Sequence, residues 1–172
     1  MNSRVTLAVL MLFSVSLFGT RANAAPAEAA GEYSKHFGAL RELSIAVAQA
    51  MPAERYNFRP HPESMDFGAL ISHIATTNYQ FCAGLKDSAP PSLPVPTGKE
   101  PIVKFLSDSF DYCSDVIPKL TEDQLSKPHD SPDGRLPGRE VLLAMFVHVA
   151  HHRGQAEIYL RGNGIRPPSY RI

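Results

Sequence analysis

The sequence lacks a cluster of basic residues, and its charges of opposite sign balance. Its 172 residues contain 17 Lys and Arg against 17 Asp and Glu, a formal net charge of zero. A protein that binds a nucleic acid through its phosphates carries instead a basic patch or stripe. The composition therefore argues against a nucleic-acid partner.

Cysteine is scarce, since Cys82 and Cys113 are the only two in the chain. In an oxidising compartment an even pair of thiols can form a disulfide. Such a bond would close a loop of about thirty residues and stabilise the fold by on the order of 3 to 4 kcal/mol. Two buried free thiols are the alternative, and metal ligation by both is the least favoured.

Strand-like alternation bounded by hairpin turns is also missing. Apolar residues recur instead at the spacing of an amphipathic helix, in the segments 27–50, 64–85, 100–120 and 139–162. Ser64 is the expected N-cap of the second helix. Residues 52–62 and 88–98 are proline-rich loops, and residues 121–138 form a crossover connection with a Ser-Pro-Asp-Gly turn at 131–134. This pattern predicts an all-α four-helix bundle.

The apolar run at residues 5–18 is too short to cross a bilayer comfortably. It follows a basic residue and precedes small residues at Ala22 and Ala24, the order typical of a cleavable signal peptide. A membrane anchor is the alternative, but no stop-transfer charges follow. We expect residues 1–24 to be removed, and residues 25–172 to form one secreted or periplasmic domain without a membrane attachment.

Imidazole side chains interrupt the apolar pattern of the fourth predicted helix. Residues three or four apart share a helix face, so His148 can aim a ring nitrogen at the same point as either His151 or His152. His73, beside the apolar stripe of the second helix, is the natural third ligand. Three protein ligands and an open position are typical of a catalytic zinc site. The alternative is a set of core histidines that bond to one another.

His148 and His152 have the four-residue spacing of the HExxH motif of zinc proteases, but the residue after His148 is not the glutamate of that motif. No neighbouring residue is therefore a candidate for the general base of that enzyme class. Neutral imidazoles suit zinc, nickel, copper and iron alike, and geometry separates these metals.

Three stretches of the sequence resemble motifs of the DinB-like family. The segment from His148 to Pro168, which begins His-Val-Ala-His-His-Arg-Gly-Gln, resembles the C-terminal signature of that family. The segment Leu-Ile-Ser-His-Ile-Ala at 70–75 resembles its second-helix motif, and Phe-Arg-Pro at 58–60 resembles a short sequence between its first two helices. The resemblance covers essentially the whole chain after residue 24.

This resemblance implies an up-up-down-down four-helix bundle with a three-histidine metal site. Carried over onto this sequence, the ligands are His73, His148 and His152. The neighbouring His151 then packs or hydrogen-bonds beside the pair, and Gly154 is a close-packing position, while a ligand contact of Arg153 is less favoured.

The family includes proteins that are often dimers, so a homodimer is expected from the resemblance. It also shares its architecture with thiol-dependent S-transferases and the maleylpyruvate isomerase group, which is an analogy of fold rather than of function. Those enzymes use cytoplasmic thiols, so the predicted export weakens a thiol-transferase hypothesis.

We expect a divalent-metal-binding protein, with zinc or nickel favoured and iron or copper next, that acts as a metal-dependent hydrolase or transferase on an unidentified small molecule. The alternative is a non-catalytic binding module whose metal pins two helices together. The polar side chains expected to contact a substrate are Tyr56, Arg59, Asn78 and Tyr79. The histidines expected to lie outside the site are His36, His61 and His129.

Export predicts a processed N-terminus. Mass spectrometry of the protein from its native host should show a chain that begins at Ala25, because a signal peptidase cleaves after small residues such as Ala24. A soluble chain that retains Met1 in the cytoplasm would contradict the predicted localisation.

Overall fold

The computed structural model describes residues 27–170, so the predicted signal peptide lies outside the described residues. The helices are α1 (Glu28–Ala50), α2 (Phe67–Leu85), α3 (Lys99–Val116), α4 (Glu122–Ser126) and α5 (Gly138–Gly162). The strands are β1 (Pro128–Ser131) and β2 (Gly134–Pro137), and 3-10 turns cover Ala53–Arg55 and Ile117–Lys119. The four long helices confirm the four predicted segments. No described helix is long and apolar enough to span a membrane.

The start of α2 differs from the expectation that Ser64 caps it. Asp66 is the N-cap, and its carboxylate accepts a hydrogen bond of 2.8 Å from the backbone N–H of Ala69. The N–H of Phe67 donates to the carbonyl oxygen of Phe58 in the preceding loop. The negative charge of a carboxylate also interacts favourably with the positive end of the helix dipole, whereas a serine hydroxyl carries no charge and interacts only weakly.

The four long helices form a ring in which α1 and α2 each pack against both α3 and α5. Side-chain contacts between the helices fix their directions. These contacts are Phe37–Phe110 and Gln49–Lys99 between α1 and α3, Asn78–Ser109 and Cys82–Cys113 between α2 and α3, and Phe67–Tyr159 and His73–His148 between α2 and α5. The first and last pairs run antiparallel and the middle pair runs parallel. In chain order the directions are up, down, down, up, so the predicted up-up-down-down order is wrong.

The crossover connection is the segment between α2 and α3, rather than residues 121–138. Because α2 and α3 run in the same direction, the chain must return along the 19 residues of α2, a length of about 28 Å. The intervening segment contains Pro90, Pro91, Pro94 and Pro96, and residues 89–97 form no regular structure. An extended proline-rich chain advances about 3.1 Å per residue, so a dozen residues suffice.

Residues 121–138 instead form α4 and a small hairpin that the sequence analysis did not predict. β1 and β2 pair antiparallel, with Pro128 opposite Pro137 and Ser131 opposite Gly134. The predicted Ser-Pro-Asp-Gly turn lies at the tip of this hairpin. Strands of four residues are too short to show a clear alternation of apolar and polar side chains. The architecture is thus mostly helical with one small sheet.

The hairpin packs closely against the C-terminal end of α2 and is hydrogen-bonded to it. A Cβ atom added at Gly84 would lie 1.9 Å from the carbonyl oxygen of Asp130, so only glycine allows this approach. The ring of His129 is 1% exposed, and its Nδ1 lies 3.1 Å from the carbonyl oxygen of Gly84 and 3.0 Å from Asp87 Oδ1. Its Nε2 lies 2.7 Å from the carbonyl oxygen of Gln124 in α4. His129 therefore has a structural role.

The core lies between the four long helices and contains a disulfide. Phe37, Phe81 and Phe110 are at most 1% exposed at its centre. Cys82 of α2 and Cys113 of α3 are bonded, with Cα atoms 5.5 Å apart, and both are fully buried. Of the alternatives that the sequence left open for the two cysteines, the structure therefore selects the disulfide.

Removal of this disulfide should destabilise the protein. The double variant Cys82→Ala, Cys113→Ala loses a cross-link over a sequence separation of 31 residues. We expect its free energy of unfolding, measured by urea denaturation, to fall by about 2 to 4 kcal/mol. Reduction of the wild type should lower its free energy of unfolding by a comparable amount. The same treatment should not change the free energy of unfolding of the double variant. Alkylation of both cysteines in unfolded, unreduced protein would contradict the disulfide.

Candidate metal centre

Three histidine side chains from two helices meet at one side of the bundle. α2 supplies His73, and α5 supplies His148 and His152. The Nε2 atoms of His73 and His148 lie 3.0 Å apart. One nitrogen of each ring falls within 4.8 Å of the corresponding nitrogens of the other two. We refer to this group as the histidine triad.

The geometry of the triad follows from helix spacing and helix direction. His148 and His152 are one turn apart on α5, and their ring centroids are 4.4 Å apart. α2 runs antiparallel to α5, and the ring centroid of His73 lies 4.9 Å from that of His148 and 4.7 Å from that of His152. The structure therefore selects the four-residue pair over the pair of His148 with His151.

Gln155 orients one member of the triad. Its Oε1 lies 2.7 Å from Nδ1 of His152, which assigns the ring proton to that nitrogen and leaves Nε2 free. The Nε2 of Gln155 lies 3.0 Å from Nε2 of His151, whose side chain is exposed. His151 thus has the expected hydrogen-bonding role. The role of Gln155 was not predicted from the sequence, although Gln155 lies three residues after His152 and so on the same helix face.

Burial keeps the triad imidazoles neutral. It lowers the pKa of His73 and His152, in the latter against the opposing effect of the Gln155 hydrogen bond. The pKa of His148 falls to about 4, first through burial and then through the neighbouring imidazoles, whose positive charge would oppose its own. Metal ions bind the neutral form of histidine, so protons compete weakly for these nitrogens at neutral pH.

Two clefts adjoin the triad, one at each end. The Tyr159 cleft has a volume of about 440 Å³ and reaches His152; its other lining residues are Glu63, Ser64, Met65, Leu70, Gln155, Ile158 and Tyr159. The Leu143 cleft has a volume of about 660 Å³ and reaches His148; its other lining residues are Asp133, Leu136, Glu140, Leu143, Ala144, Val147 and His151. The triad is half-buried and thus accessible to a small molecule.

In the C-terminal signature, Gly154 differs from the expectation, and Arg153 contacts other residues of the chain. A Cβ atom added at Gly154 would meet nothing within 4 Å, so the predicted close-packing role is wrong. Arg153 forms a 2.7 Å ion pair with Glu157, and its guanidinium lies 5.2 Å from the centre of the Tyr170 ring. It lines neither cleft.

The polar residues expected to contact a substrate also lie elsewhere. Neither cleft is lined by Tyr56, Arg59, Asn78 or Tyr79. The hydroxyl of Tyr56 donates to the carbonyl oxygen of Ala48, and the buried amide of Asn78 donates to Ser109. Both side chains therefore have a structural role. Apolar periodicity in the sequence does not distinguish a polar residue with such a role from one that binds a substrate.

The fold agrees with comparisons to known proteins. The chain belongs to the DinB superfamily, whose sequence profile matches residues 36–156. The uncharacterised protein YjoA of Bacillus subtilis (strain 168) is 28% identical over 134 residues, which cover 75% of this chain and 87% of YjoA. The predicted membership of the DinB-like family is thus confirmed.

Solved structures support the same fold. The crystal structure of YjoA, a DinB-like protein from Bacillus subtilis, aligns with a TM-score of 0.71 and 23% identity, over 81% of this chain and 98% of that one. A DinB-like protein from Bacillus cereus ATCC 10987 aligns with a TM-score of 0.70 and 19% identity, over 81% and 95% of the two chains. Both share the architecture of this chain.

The neutral triad predicts acid sensitivity of the metal-free protein. The unfolded chain takes up a proton on His148 near its ordinary pKa of 6.5, whereas the folded chain does so only near about 4. The unfolded state therefore binds more protons between these values, and the melting temperature of chelator-treated protein should fall as the pH drops through this range. Circular dichroism melts measure this dependence.

The variant His148→Asn should show a shallower dependence of melting temperature on pH over the same interval. His36 is exposed on α1, so His36→Asn is the matched control and should follow the wild type. Equal slopes for all three proteins would contradict the assigned pKa of His148.

Proposed function

We propose that this protein binds one divalent metal ion through His73, His148 and His152 and acts as a metal-dependent enzyme. The observation that carries the proposal is the convergence of three imidazole nitrogens within 4.8 Å of one another. Two ligands of a tetrahedral zinc ion, each about 2.0 to 2.1 Å from the metal, lie roughly 3.3 Å apart. The 3.0 Å between Nε2 of His73 and Nε2 of His148 is close to that value.

The number of ligands favours an enzyme over a binding module whose metal only pins helices. Structural zinc sites are closed by four protein ligands, whereas catalytic sites keep a position for water or substrate. Within residues 27–170, no cysteine or carboxylate joins the triad. Two clefts that could admit a substrate adjoin the triad, and their volumes fall within the range of small-molecule sites.

We propose zinc or nickel as the ion, with iron or copper as the alternatives; imidazole nitrogen suits all four metals. A bound divalent ion would supply Lewis acidity, which lowers the pKa of a water molecule or polarises a carbonyl group. The protein's own contribution is to hold three neutral nitrogens at one point. Gln155 fixes the ring of His152 through its 2.7 Å hydrogen bond.

A hydrolase or a transferase that acts on a small molecule fits this arrangement. Cleavage of the predicted signal peptide would put the reaction outside the cytoplasm. This proposed location disfavours a cytoplasmic thiol as cosubstrate.

The metal content of histidine variants tests the proposal. Substitution of His73, His148 or His152 by Ala should each remove most of the bound metal, because two imidazoles form a much weaker site than three. Gln155→Ala should keep the metal but bind it roughly ten- to a hundredfold more weakly, since it removes a group that orients a ligand. Elemental analysis per chain and a competition titration with a chelator measure the two effects.

His151→Ala is the matched control on the same helix, and it should retain its metal because this exposed ring lies outside the triad. Variants of the exposed His36 and His61 should also retain it. Loss of metal in His151→Ala with retention in His152→Ala would mean that the other pair on α5 binds the ion. Unchanged metal content in every variant would mean that the triad binds none.

A further inference from the structure

The Leu143 cleft has an apolar floor and begins at the triad. Residues of α5 at four-residue spacing form one continuous face: Leu143, Val147 and His151 follow one line, and Glu140, Ala144 and His148 follow the next. Leu143 is 62% exposed and Val147 is 57% exposed, so large apolar side chains face solvent here. Leu136 of the hairpin forms the opposite wall.

The charges around this apolar floor have a single sign. Asp133 at the hairpin tip and Glu140 in the first turn of α5 line the cleft, and no Lys or Arg does so. The other cleft shows the same sign, since Glu63 is its only lining residue of fixed charge. An anionic group at the end of a substrate remote from the triad would therefore meet carboxylates at either entrance, where no lining Lys or Arg offsets the repulsion.

We propose that the Leu143 cleft selects small molecules whose apolar body carries a positively charged group at the end remote from the triad, and that it disfavours a carboxylate or phosphate at that end. This inference rests on the proposed function, because the reacting group of the substrate would sit at a metal held by the triad. Glu140 precedes His148 by eight residues on α5, so the two positions are about 12 Å apart along the helix axis. A cationic group on a flexible chain of five or six carbons reaches Glu140 from the metal.

Three matched probes test the charge selection. Each carries an imidazole, which binds the metal through one nitrogen, and a pentyl chain on the other nitrogen that ends in an ammonium, a methyl or a carboxylate group. Titration of the cobalt(II)-substituted protein, followed by its visible absorption, gives the three affinities. We expect the ammonium probe to bind at least about fivefold more tightly than the carboxylate probe, since partly exposed charges interact weakly but with a definite sign.

Charge variants locate the effect. Glu140→Gln should bring the ratio of the two affinities towards one, and Glu140→Lys should reverse the preference, while the affinity of the methyl probe stays the same. Glu63→Gln, in the Tyr159 cleft, is the matched control and should keep the wild-type ratio. High salt should reduce the preference in the wild type.

The possible results separate this inference from the proposed function. If the protein binds no cobalt at the triad, both are overturned. If cobalt binds normally but the carboxylate probe binds as tightly as the ammonium probe, only the charge selection is overturned. If Glu63→Gln abolishes the preference and Glu140→Gln does not, the Tyr159 cleft is the selective one and the proposal for the Leu143 cleft is overturned.

Discussion

The packing of α2 against α5 is the constraint on which the candidate site depends, because neither helix alone supplies three ligands. Near one end of this interface the ring of Phe67 lies 6.2 Å from the ring of Tyr159. The disulfide from Cys82 ties the other end of α2 to α3. A slip of one residue along an α-helix rotates a side chain by about 100°. Such a slip would turn His73 away from the triad.

Burial keeps the imidazoles of the triad neutral, and it also lowers the stability of the folded protein in acid. Three imidazoles brought this close repel one another when protonated, and their burial adds to that penalty, as the depressed pKa of His148 reflects. A site of this kind opposes folding in acid but holds free nitrogen lone pairs at neutral pH. The extensive apolar core, with Phe37, Phe81 and Phe110 at its centre, offsets the unfavourable contribution.

The helices and the triad were predictable because their signals are local and repeated. Apolar periodicity over some twenty residues defined each long helix, and the family resemblance selected His152 over His151. Helix direction was not predictable, since periodicity is the same in either direction and the proline-rich crossover looked like an ordinary loop. The hairpin is too short for a periodic signal. For Gly154, no feature of the sequence showed that its helix face is open.

The coordination of a metal by nitrogen at the triad is the central claim, and X-ray absorption spectroscopy of the metal-loaded protein tests it most directly. For zinc, the account predicts a first shell of three imidazole nitrogens at about 2.0 to 2.1 Å, with the outer-shell scattering of histidine rings and a light oxygen donor from water. His73→Ala should bind far less zinc, with fewer imidazole nitrogens around the zinc that remains, whereas His151→Ala should keep the wild-type spectrum. Sulfur in the first shell, or a spectrum unchanged by His73→Ala, would contradict the account.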